Sequence, residues 1–133
     1  MIQFQSDKKN INASTEALFT FLNNANNYVQ LLPDNLDNFK TTDDTCSFSI
    51  SKFGTFELKI TESIPNSRIK IEPIGKAPIQ FFIEWKIEED QTNSIVNLYM
   101  EADVNPFIKM MAQKPLEDLM KYQIKKLTEI FNT

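Results

Sequence analysis

The chain has 133 residues, 41% hydrophobic and 24% charged, with a net charge of −4. That size and balance suit one globular domain over 1–133 and argue against disorder, and an acidic chain is poorly placed to bind nucleic-acid phosphates. With no histidine and one cysteine, Cys46, it lacks the commonest general base, the commonest metal ligand and any internal disulfide.

No apolar run reaches ~18 residues, so no stable membrane insertion is expected. The first six residues lack the basic start and apolar core of a signal peptide, and a cytoplasmic location is the expectation. Residues 2–6 read as a strand with Ile2 and Phe4 on one face. Ser14 is a good helix N-cap, and Ala17, Leu18, Phe21 and Leu22 follow at helical spacing. A second short helix, 25–31, should end before Pro33.

From Leu36 to Asp103 the apolar period changes to two. Six strands are centred on 39–41, 46–50, 55–60, 68–71, 80–87 and 95–102. Each hairpin must keep its apolar residues on one face, so loop parity can be checked. A two-residue loop, Asp43-Asp44, pairs Thr41 with Cys46 and Phe39 with Phe48. A short even loop around Pro65-Asn66 pairs Ile60 with Ile71. A four-residue loop, 90–93, pairs Ile87 with Val96, Trp85 with Leu98 and Ile83 with Met100. Apolar residues oppose apolar residues throughout, which predicts an antiparallel meander. The outer face of this sheet should expose Glu84, Lys86, Asn97 and Glu101 around Phe82 and Tyr99.

Residues 106–131 read as a long helix. Leu116, Leu119, Met120, Gln123, Leu127, Ile130 and Phe131 form its inward stripe, and Pro115 should kink or split it. The cluster Lys121, Lys125 and Lys126 suits a solvated helix face.

Few residues suggest chemistry. Cys46 lies on an inward strand phase beside apolar Phe48, with no base to activate a thiol, and reads as core. Glu84, Glu101 and Asp103 fall on the outward phase, where solvated carboxylates are ordinary. Asp34, Asp37, Asp43 and Asp44 suit turns better than a cation site. Tyr28, Tyr99 and Tyr122 could each offer a phenol to a ligand, although a core-edge tyrosine with a wet hydroxyl is the simpler account. Met100, Met110, Met111 and Met120 suit adaptable packing or an adaptable binding surface.

Several stretches resemble a known family. Ile11-Asn12-Ala13-Ser14-Thr15-Glu16-Ala17-Leu18-Phe19 is similar to the start of its first helix, and 25–33 to its second helix running to a proline. Phe53-Gly54-Thr55-Phe56-Glu57-Leu58 and 72–78 are similar to its turns and strand starts, and Pro115-Leu116-Glu117-Asp118-Leu119 to its long helix. The chain resembles the SRPBCC superfamily, which includes START lipid-transfer domains, the birch-pollen allergen group and the polyketide cyclase/dehydrase group. The resemblance implies an α+β helix-grip fold. A seven-stranded, curved antiparallel sheet would wrap around the C-terminal helix, with two short helices between strands 1 and 2 and an apolar cavity between sheet and helix.

The inward strand residues Phe39, Phe48, Phe56, Leu58, Ile69, Ile71, Phe81, Ile83, Trp85, Val96, Leu98 and Met100 would then line that cavity. Phe107, Met111, Leu116 and Met120 would line it from the helix. Its mouth is expected near Phe53-Gly54, Gly75-Lys76 and the start of the last helix, with Phe107 and Met111 as an apolar flap. A non-catalytic binder of a small apolar or lipid-like ligand, without cofactor or metal, is the leading expectation. A cyclase- or dehydrase-like enzyme would need polar groups inside. An interaction module would have a filled core. A homodimer through the outer sheet face or an edge strand stays open.

Overall fold

The computed structural model describes residues 2–34, 36–50 and 53–132. Its elements are β1 (Ile2–Gln5), β2 (Lys9–Ile11), α1 (Thr15–Leu22), a 3₁₀ helix (Ala25–Gln30), β3 (Asp37–Thr41), β4 (Thr45–Ile50), β5 (Gly54–Ile64), β6 (Arg68–Pro73), β7 (Gln80–Asp90), β8 (Asn93–Asp103) and α2 (Pro106–Phe131). The sheet is antiparallel in the order β1-β8-β7-β6-β5-β4-β3, and β2 also pairs with β8.

The strand expected at 2–6 is β1, and an unexpected further strand, β2, follows it on the same partner, giving eight strands where seven were expected. The Ser6 N–H donates to the Leu98 carbonyl, but the Leu98 N–H donates to Ser6 Oγ (2.8 Å) rather than to a backbone carbonyl. The chain bulges there and rejoins β8 one residue out of register: Gln5 faces Tyr99, whereas Lys9 faces Val96.

Local signals explain the helices. The Ala17 N–H donates to Ser14 Oγ (3.1 Å), capping α1. The expected second helix is a 3₁₀ turn of six residues. It is pinned to the end of α1 by two side chains that donate backwards, Tyr28 Oη to the Leu22 carbonyl (2.6 Å) and Asn27 Nδ2 to the Phe21 carbonyl (2.9 Å). Asn105 caps α2 by accepting from the Ile108 N–H (2.8 Å), with Pro106 at the first helical position. Pro115 does not split α2, which is one continuous helix from Pro106 to Phe131. Pro115 and Met111 are both exposed, so solvent can satisfy the Met111 carbonyl that proline leaves without a donor.

The hairpin registers follow the apolar pattern, with corrections in the turns. Thr41 faces Cys46. Ile60 faces Ile71, and Ile83, Trp85 and Ile87 face Met100, Leu98 and Val96. The β5–β6 loop is odd, not even: Ile64 faces Arg68 across 65–67, and a register shift between Ile60 and Glu62 restores the parity. The β7–β8 turn has two residues, Gln91 and Thr92, not four, since Asp90 still faces Asn93. Both turns place a non-glycine residue at positive φ, Asn66 (62°) and Gln91 (59°).

Apolar residues of the concave face and α2 form the core, with Trp85 fully buried at its centre. On the convex face, Lys70 Nζ lies 4.7 Å from the Phe82 ring centre and Lys86 Nζ lies 5.1 Å from that of Tyr99. Glu84 is half-buried and paired with Arg68 Nε (3.1 Å). Asn97, expected to be exposed, is only 3% exposed. It sits opposite Lys86 and between Ile95 and Tyr99 on its own strand, and its Nδ2 is buried with no hydrogen-bond partner among the described residues.

Trp85→Ala should destabilise the fold by about 3–5 kcal/mol through lost burial and the void left behind. A denaturant midpoint close to that of wild type would contradict the central place of this side chain.

Candidate functional site

The concave face and α2 do not close completely. They leave an outer space of about 330 Å³ and a deeper one of about 30 Å³. Pro33, Leu36, Ile50, Phe53, Phe56 and Ile79 bound the outer space on one side. On the other are Pro115, Leu116, Asp118, Leu119 and Tyr122 of α2. The two spaces share Ile50, Phe56, Leu116 and Leu119 as walls.

Turn geometry shapes the outer wall. Gly54 has φ +111°, and a Cβ there would meet Pro78 Cγ at 3.2 Å. The start of β5 and the β6–β7 loop can therefore lie this close because residue 54 has no side chain. Of the expected mouth residues, Phe53 lines the outer space and Gly75 and Lys76 do not.

The residues expected to line a cavity divide into four groups. Phe56 and Leu116 touch both spaces. Phe48, Leu58, Ile71, Phe81, Ile83, Met100 and Met120 line the inner one. Phe39 stacks on Phe48 with ring centres 6.2 Å apart, while Ile69, Trp85, Val96 and Leu98 are fully buried; none of these five lines either space. Phe107 and Met111 are 70% and 48% exposed and line neither. The buried face of α2 begins at Ile108, Ala112 and Leu116, and helical geometry turns residues 107 and 111 away from it. With α2 unbroken, they do not form a separate flap.

The inner space also touches Tyr28, Cys46 and Gln123, and the outer one touches Asp118 and Tyr122. Alternation assigned Cys46 and Gln123 to the inside. Tyr28 and Tyr122 carry no such signal, because their positions depend on where α2 and the 3₁₀ turn cross the sheet, and Asp118 belongs to the outward face of the helical pattern, where it is exposed at the rim.

Buried Tyr28 spends its proton on the Leu22 carbonyl. Burial pushes its phenol far above the ordinary range, Cys46 adds to this, and the Trp85 indole N–H opposes it. Burial likewise pushes the Cys46 thiol up to about 12. Both groups stay protonated near neutrality, so neither is a ready nucleophile or base.

The other acidic candidates lie elsewhere. Glu101 accepts from Gln3 Nε2 (3.2 Å), Asp103 is exposed, and Asp43 accepts from Asn26 Nδ2 (3.0 Å). Asp44 lies 3.9 Å from Lys59 Nζ, and Asp34 and Asp37 are exposed. Among the described residues, no three His, Cys, Asp or Glu side chains are grouped to hold a metal ion. No described helix is long and apolar enough to cross a membrane.

No family model and no curated protein sequence matches the chain. Solved structures do. XoxI from Bacillus cereus is 14% identical with a TM-score of 0.75, over 98% of this chain and 96% of that one. A START superfamily protein from Mycobacterium smegmatis is 12% identical with a TM-score of 0.67, over 98% and 97%. The fold is the START-like helix grip. The Aha1 dimer from Colwellia psychrerythraea also shares it, at 14% identity and a TM-score of 0.69, over 98% of this chain and 96% of that one. At these identities the helix-grip likeness speaks for architecture, and function has to be argued from the site.

Cys46 should resist iodoacetamide at pH 8 in the folded protein and react once unfolded. Folding raises its pKa from 9.0 to about 12. Its contribution to stability is therefore full below about pH 9 and falls as pH rises toward 12. Denaturant midpoints between pH 8 and 11 should fall less steeply for Cys46→Ala than for wild type.

Proposed function

We propose that this START-like chain, as one domain, binds a small apolar or lipid-like molecule between sheet and helix without transforming it. The outer space of about 330 Å³ carries this reading, because its walls are apolar apart from Asp118 and Tyr122. A volume of that order suits a compact ligand held by apolar burial and oriented by few polar groups. The interior supports binding over catalysis: its phenol and thiol stay protonated near neutrality, and a glutamine amide does no acid–base work.

A second reading, association with another copy, draws on a different surface. Phe107 and Met110 on α2 are 70% and 86% exposed. That face suits an interface better than the convex sheet, where lysines already cover Phe82 and Tyr99.

Titration with the neutral fluorophore N-phenylnaphthylamine tests the first reading. Wild type should bind it with rising, saturable emission. Leu119→Trp fills a wall common to both spaces and should weaken binding by about tenfold or more, equivalent to ~1.4 kcal/mol. Met111→Trp lies outside and should bind as wild type does. Absence of saturable binding by wild type would refute the proposal.

A further inference from the structure

Gln123 stands on the buried face of α2, between Met120 and Leu127, and is only 6% exposed. Its side chain lines the inner space, and no described group hydrogen-bonds its amide. Neither amide atom is among the side-chain atoms buried without a partner, so a water-sized probe reaches the amide, and an occupant of that space can use both its donor and its acceptor. The other polar groups there are poorer partners. The Tyr28 hydroxyl already donates to Leu22, and Cys46 offers only a weakly donating thiol.

The sizes of the two spaces divide the work. About 30 Å³ holds little more than a polar tip the size of one or two waters. About 330 Å³ holds an apolar body. A carboxylate is disfavoured in either orientation. Head inward, it would lose its hydration with no cation to meet it among the residues lining the inner space. Head outward, it would sit at the exposed rim beside the Lys114–Asp118 pair and present only its apolar end to the Gln123 amide.

We infer that Gln123 is the specificity-determining residue of this pocket, and that the ligand is an uncharged apolar molecule with a carbonyl or hydroxyl group at its inner end. The body would fill the outer space, and the polar tip would pass the shared Leu116 and Leu119 wall to the Gln123 amide. This rests on the binding function proposed above and adds the ligand class to it.

A matched set of competitors tests it: tetralin, α-tetralone and naphthoate, each displacing N-phenylnaphthylamine from wild type and from Gln123→Met. Methionine keeps the volume and removes the amide. Wild type should prefer tetralone to tetralin by about tenfold, or ~1.4 kcal/mol, with naphthoate weakest. Gln123→Met should bind tetralone and tetralin alike, with tetralin unchanged from wild type. The NMR signals of the Gln123 side-chain amide should move on adding tetralone and stay put with tetralin. If Gln123→Met fails to fold, Gln123→Asn, whose amide is withdrawn by one methylene, should show the same loss of preference.

Equal displacement by tetralone and tetralin in wild type would overturn the role of Gln123, leaving a trapped water as the partner of its amide and the binding function intact. No binding of the fluorophore by wild type would overturn both together.

Discussion

Eleven consecutive pairs tie β7 to β8, from Gln80 opposite Asp103 to Asp90 opposite Asn93. Within them Ile83, Trp85 and Ile87 meet Met100, Leu98 and Val96, so one face of the ladder is apolar. A slip of one residue would turn that entire face to water, which holds the register firmly. β8 also carries β1 and β2 on its far side and runs through the Asn105 cap into α2. The place of α2 on the concave side, and hence of any space beneath it, follows from this one ladder.

The elements most legible in the sequence are those held by that constraint. Matching apolar residues across each turn recovers Thr41–Cys46, Ile60–Ile71 and the β7–β8 pairs. Parity is blind to compensating irregularities. An odd loop at 65–67 with a bulge after Ile60 keeps the same faces as an even loop without one. The slip between Gln5 and Lys9 was hidden for a related reason: a serine side chain takes over a backbone acceptor, and hydrophobicity carries no trace of that.

The site was legible in outline only. Alternation tells which strand residues face the helix, but not which of them keep a helix neighbour. Ile69, Trp85 and Leu98 share the inward phase with Phe48 and Ile83, yet only the latter pair borders a void. On α2, a one-residue difference in phase separates Ile108 and Ala112, half-buried and buried, from exposed Phe107 and Met111. Gln123 fell on the inward stripe of the sequence pattern. That stripe does not show that its amide meets no protein partner and borders the inner space.

The sheet does not close on itself, and its path ends at β1 and β3. Open strand edges invite other chains to add on, the first step toward fibrils. Both ends here are short and uneven. β1 has four residues and is separated from β2 by the register slip around Ser6. β3 has five residues, with a register shift next to Asn38 at φ 56°. Neither rim offers a long, straight row of amides for a second molecule to copy. The irregularities that hydrophobic pattern could not foresee thus leave short, uneven rims at which little new ladder can form.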